Sequence, residues 1–99
     1  MSHKLPLSKP IKAHDQEISE LTFRDLTGED LIEVGAAPFI IDDRSRTHID
    51  FAATAAYIVR LAGIPTSSVK QMAPADMMKA FGVIAGFFGG TEALTLTTS

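Results

Sequence analysis

His14 and Asp15 stand side by side, Asp42 and Asp43 do the same, and His48 lies two residues before Asp50. Imidazole and carboxylate bind metals and move protons, so chemistry would start at these positions. None of the three groups has a recognised metal-ligand spacing. Residues two apart on a helix do not face each other, so His48 and Asp50 do not converge there. The plainer reading is a polar turn, a solvated loop and a helix start. Ser67 and Ser68 have no local base that would make either a nucleophile. Gly82, Gly86, Gly89 and Gly90 lack the preceding strand and following lysine of a phosphate loop. The chain has no cysteine, which removes thiolate nucleophiles, thiolate metal sites and disulfides. No catalytic residue, metal or cofactor is therefore expected, and an enzyme ranks last among the functions considered.

Composition narrows the rest. Ninety-nine residues make one domain with a small core. The net charge of -3, without a basic cluster, argues against nucleic acid. The stretch AFGVIAGFFGG, residues 80–90, holds three of the six phenylalanines and four of the seven glycines. Ala80 to Thr91 are twelve uncharged residues. As a helix they reach roughly 18 Å, against a bilayer core of about 30 Å, so no membrane span is expected. The opening residues lack a continuous apolar core, so no signal peptide is expected and the chain reads as intracellular.

The elements that must position any site follow from periodicity. Residues 1–10 carry Pro6 and Pro10 and read as a flexible lead-in to a single domain over 11–90. Apolar alternation in Ile11 and Ala13, then in Leu21 and Phe23, predicts a β-hairpin over about 8–25, turning at His14 to Gln16. Ile18 is out of phase with Leu21, which calls for a bulge or a weak strand start. Helices are expected over about 28–34, 48–62, 67–71 and 74–89. Thr27 caps the first and Gly35 ends it. Thr47 caps the second, with Asp50 three residues on, and Gly63 and Pro65 end it. Its Phe51, Ala55 and Ile58 share one face. APFIIDDRSRT reads as a connection, and residues 91–99 as a polar tail. The class is α+β: a hairpin followed by three to four short helices packed as a small helical domain.

The last helix is the informative one. Met77, Phe81, Ile84 and Phe88 make one apolar stripe, assigned to the core. Met78, Gly82, Gly86 and Gly90 make a nearly flat ridge, with Val83 and Phe87 on a third side. A helix end apolar nearly all round is normally buried all round. This domain has few elements to surround it, so Met78, Gly82, Val83, Gly86 and Phe87 are expected to bind a partner or a second copy. Close packing of the ridge against AATAA of the second helix is the competing reading, because glycines four apart let backbones approach.

The order of ISELTFRDLTGEDL and then YIVRLAGIPTSSVKQMAPADMMKAFGVIAGFF resembles the small tail assembly chaperones of contractile-tailed bacteriophages. Leu61, Gly63, Val69, Met72, Pro74, Asp76, Val83 or Ile84, Phe87 and Phe88 occupy that family's C-terminal pattern. The resemblance covers roughly residues 11–88, and the alanine-rich second helix departs from it. It implies a non-catalytic protein that binds the helical tape measure protein and keeps it soluble before tail tube polymerisation. It also implies a host-cytoplasmic location, absence from the finished virion, and in many members a longer frameshifted version. A structural or scaffold subunit of the tail, and a small helical regulatory or DNA-binding adaptor, are the competing functions.

Overall fold

The computed structural model describes residues 3–88. The polar-tail expectation for residues 91–99, and Gly90 of the expected ridge, lie outside them. Strand β1 (His3–Ala13) pairs antiparallel with β2 (Gln16–Phe23). His14 and Asp15 fill the two-residue turn at φ 53° and 62°, the doubly left-handed geometry whose twist matches a hairpin. The strand therefore begins at His3, and residues 3–10 are not a loose lead-in. Pro6 and Pro10 fit because β1 lies at the edge of a two-stranded ribbon, where a missing N–H breaks no inner ladder.

The irregularity expected near Ile18 lies on the facing strand, as a bulge in β1. Ile11 lies opposite Ile18 and Leu5 opposite Leu21, so the register shifts between Pro6 and Ile11. Leu5, Ile11, Ala13, Leu21 and Phe23 are all buried.

Helix α1 (Gly28–Val34) follows, ended by Gly35 at φ 75°. A second hairpin then appears where the sequence reads as a connection: β3 (Phe39–Ile41) pairs with β4 (Thr47–Ile49). Thr47 is thus a strand residue and not a helix cap. Asp50 caps α2 (Phe51–Ala62) by accepting the Ala53 N–H at 3.0 Å. Gly63 closes α2 at φ 69°, a left-handed position that glycine adopts without a Cβ penalty. A single turn, α3 (Thr66–Val69), leads to α4 (Pro74–Phe87).

The core gathers Phe23, Ile11 and Leu21 from the hairpin, Tyr57, Ile58 and Leu61 from α2, Ile64, Val69 and Met72 from the connection, and Ala80 and Ile84 from α4. The last strand residues are tied to α2, where Arg24 N–H donates to the Leu61 carbonyl at 3.0 Å. Ser68 Oγ donates to the Lys12 carbonyl at 2.6 Å and fixes α3 against β1.

Candidate functional site

Helices α4 and α1 are each anchored through a buried carboxylate. Asp76 lies in the first turn of α4, where a carboxylate suits the positive end of the helix dipole. It is fully buried and does more than complement the dipole. Both its oxygens accept the Ser8 N–H at 3.0 Å, and Oδ2 also accepts the Ser8 hydroxyl at 3.1 Å and the Lys9 N–H at 3.4 Å. These donors are the ones the β1 bulge leaves unpaired with β2. The Ser8 N–H above all, then the Ser8 hydroxyl, the Lys9 N–H and the charge of Lys79, holds the Asp76 carboxyl below its ordinary pKa against the opposing effect of burial.

Asp30 is the second anchor. Arg24 grips it with two nitrogens at 2.9 and 2.7 Å, and Arg60 Nε from α2 donates to Oδ1 at 2.9 Å. Thr27 donates its N–H and its hydroxyl to Oδ2. The Arg24 guanidinium is the largest of the influences that hold this carboxyl well below the usual carboxylate range, with burial opposing them. Such forked, charge-assisted contacts are the strong class of hydrogen bond. Tyr57, buried beside this network, donates its hydroxyl to the Ala36 carbonyl. Burial, and secondarily the Asp30 charge, pushes its pKa up.

The residues first considered for chemistry take structural parts. His14 Nε2 lies 3.1 Å from the Gly63 carbonyl. Asp42 organises the β3–β4 turn: it accepts the Arg44 and Arg46 N–H groups, Arg46 Nε at 3.1 Å and His48 Nε2 at 2.9 Å. The His48 contact above all lowers the Asp42 pKa to about 2. His48 thus pairs with Asp42 and not with Asp50. Among the described residues, no group of three or more His, Cys, Asp or Glu side chains could hold a metal.

On α4 the buried face carries Asp76, Ala80 and Ile84. It is rotated by roughly 60° from the expected stripe of Met77, Phe81, Ile84 and Phe88, counting 3.6 residues per turn. Ala80 is fully buried and Phe81 only half-buried. A small residue, Ala80, lies at the centre of the buried face, and the large residues divide between the two flanks.

Phe87, expected off the core stripe and on the partner face, is half-buried against the body of the protein. Its ring stacks edge-on against His3 at 4.9 Å and packs on the core. Phe88 stacks against Tyr57 at 5.7 Å and Phe39 at 5.8 Å. The first hairpin covers one flank of α4, and α2 with β3 covers the next, so adjacent phenylalanines both find cover. Val83 is likewise half-buried against the core.

The ridge behaves differently. Met78, Gly82 and Gly86 are exposed. A Cβ added at Gly82 or Gly86 would meet nothing within 4 Å, so among the described residues no backbone packs closely on this ridge. The packing of this ridge against AATAA is therefore not found.

At the N-terminal end of the ridge, Met78 opens into a groove of about 350 Å³ lined by Phe51, Met72, Pro74, Met77 and Met78. Every lining residue is apolar. Phe51 is 50% exposed and Met78 49%. Thioether side chains are unbranched and adaptable, so a methionine-lined groove accommodates apolar segments of varied shape. The sequence reading missed Phe51 as part of this surface, because its helical spacing from Ala55 and Ile58 matched the core face. Its place directly after the Asp50 cap puts it at the mouth of the groove.

Residues 4–89 match the family model described as phage tail assembly chaperone proteins, E, or 41 or 14. No curated protein and no solved structure matches the chain.

Proposed function

The chain belongs to the phage tail assembly chaperone family, and we propose that it binds the tape measure protein and keeps it soluble until the tail tube polymerises. The observation that carries this reading is the open groove of Phe51, Met72, Pro74, Met77 and Met78. A tape measure protein is long and helical, and before the tube encloses it, its apolar helical stripes face water. Covering such a stripe with a groove of flexible methionines removes apolar surface from both partners. Full burial of a Met or Phe side chain is worth about 1.5–3 kcal/mol. Phe51 and Met78 are each half-exposed in the free chain, so covering both contributes about 2 kcal/mol on that scale. The exposed Gly82 and Gly86 extend the same helix as a low surface over which a partner helix can lie close.

The protein acts in this reading in the host cytoplasm, without cofactor, nucleic acid or membrane, and leaves before the virion is complete. A longer frameshifted version of itself and a second copy are further partners in the proposal. Affinity capture of the tagged chain from infected cells, combined with mass spectrometry of purified particles, tests it. The tape measure protein is expected in the captured fraction and the chain is expected to be missing from particles. Stoichiometric chain in finished particles would instead make it a structural subunit of the tail.

A further inference from the structure

Helix α1 is built inside out. Its buried residue is Asp30, while Leu31 is 40% and Ile32 80% exposed. A surface helix normally turns its aliphatic side chains to the core and its carboxylates to water. Here the Arg24, Arg60 and Thr27 contacts to Asp30 turn the helix the other way.

The charged residues of α1 itself, Glu29, Asp30 and Glu33, share one sign, and Arg24 and Arg60 approach it only on the Asp30 and Glu29 side. Glu29 and Glu33 are exposed and four residues apart, so they lie on one helix face, and Ile32 lies beside that face, about 60° round the helix from Glu29. Like charges at that spacing repel. Arg60 reaches Glu29 only at 4.0 Å, and its Nε is turned onto Asp30. The asymmetry extends along the chain: residues 25–43 contain six acids and no lysine, arginine or histidine. The same segment holds four of the large exposed aliphatic side chains, Leu31, Ile32, Ile40 and Ile41.

We propose that the outward face of α1, with Ile32 at its centre, Glu29 and Glu33 on one side and Leu31 on the other, docks a basic amphipathic helix of a partner protein. An apolar stripe on that helix covers Ile32 and Leu31, and lysines or arginines beside the stripe meet Glu29 and Glu33. The charge complementarity sets which helix is accepted, because an acidic or neutral helix leaves the two glutamates facing like charge or nothing. This face shares no residue with the methionine groove, so it serves as a second, charge-selective site on the same chain.

The test uses a fluorescein-labelled fourteen-residue leucine–lysine amphipathic peptide as probe, with its leucine–glutamate counterpart as control. Anisotropy titrations of the full chain are run at low and moderate salt. Ile32→Ser is expected to weaken binding of the basic peptide at least tenfold at both salts. Glu29→Gln with Glu33→Gln is expected to weaken it at least tenfold at low salt, with a much smaller effect at moderate salt. The leucine–glutamate peptide should bind at least tenfold more weakly than the basic one. Phe51→Ser, in the groove, should leave binding within twofold. Ile32 is exposed, so its variant should keep the parent's melting curve by circular dichroism. The proposal is overturned if Ile32→Ser binds like the parent, if both peptides bind alike, or if Phe51→Ser has the effect assigned to Ile32→Ser. It is also overturned if sedimentation shows that Ile32→Ser splits a dimer while leaving peptide binding unchanged, since a second copy would then be the occupant.

Discussion

Replacing Asp76 by alanine should detach the bulge of β1 from the start of α4. Asp76 is fully buried and accepts the Ser8 N–H, the Ser8 hydroxyl and the Lys9 N–H. A hydrogen bond to a charged group contributes about 1.5–3 kcal/mol, and the bond at 3.4 Å falls below that range. Ser8 and Lys9 are themselves exposed, so water takes up part of what the carboxylate gave. The expected loss is therefore about 2–3 kcal/mol. For a domain of this size that corresponds to a fall in Tm of roughly 10–20 °C. Urea unfolding followed by circular dichroism measures it. The pH dependence gives an independent reading. The folded-state pKa of Asp76 is depressed, so its contribution is fully present above the unfolded value of about 4 and is lost as pH falls through the folded value. The alanine variant should thus lose less stability than the parent between pH 5 and pH 3. A loss below about 0.5 kcal/mol, the scale of an ordinary surface substitution, would refute the reasoning, because the clasp would then be replaceable by water.

Asp30→Ala leaves the Arg24 and Arg60 guanidinium groups without their buried acceptor. Both arginines are partly solvated, so the loss should sit near the low end for a broken ion pair, about 3 kcal/mol by urea titration. Gly82→Leu should preserve the fold and gain up to about 1 kcal/mol from helix propensity, since a side chain there meets open space. Any effect of that variant on capture of the tape measure protein would then report on the outer surface alone. Phe87→Asp and Phe88→Asp should both destabilise the domain in thermal melts, because both rings are packed against partners. Asp50→Ala should cost about 1 kcal/mol of stability by removing the α2 cap.

The first hairpin is legible in the sequence because its apolar residues alternate on either side of a polar pair, and the phase slip at Ile18 marks the bulge. The second hairpin is not, because three-residue strands are too short for periodicity to distinguish from a loop. Asp30 and Asp76 look from sequence like ordinary first-turn acids of α1 and α4. Their partners Arg24, Arg60 and Ser8 lie 6, 30 and 68 residues away, and only the fold brings the distant ones close. The orientation of α4 is not legible from the size of its side chains, because its most buried positions are Asp76, Ala80 and Ile84. The small Ala80 is fully buried on α4, while the larger Phe81 is only half-buried. The rotation of α4 moves Phe87 and Val83 onto the body of the protein and leaves Met78 with Gly82 and Gly86 outside. Phe51 joins Met78 only through the packing of α2 near α4, which no local pattern encodes.

The claim that the methionine groove holds the tape measure protein is tested most directly by co-expression. The tape measure protein is produced with the parent chain or with a chain carrying both Phe51→Asp and Met78→Asp, and its soluble fraction is measured after centrifugation. Both substituted residues are half-exposed, so circular dichroism should show that the double variant remains folded. The account predicts that the parent keeps the tape measure protein in solution and that the folded double variant lets most of it sediment. A folded double variant that keeps it fully soluble would contradict the assignment of this groove as the binding surface.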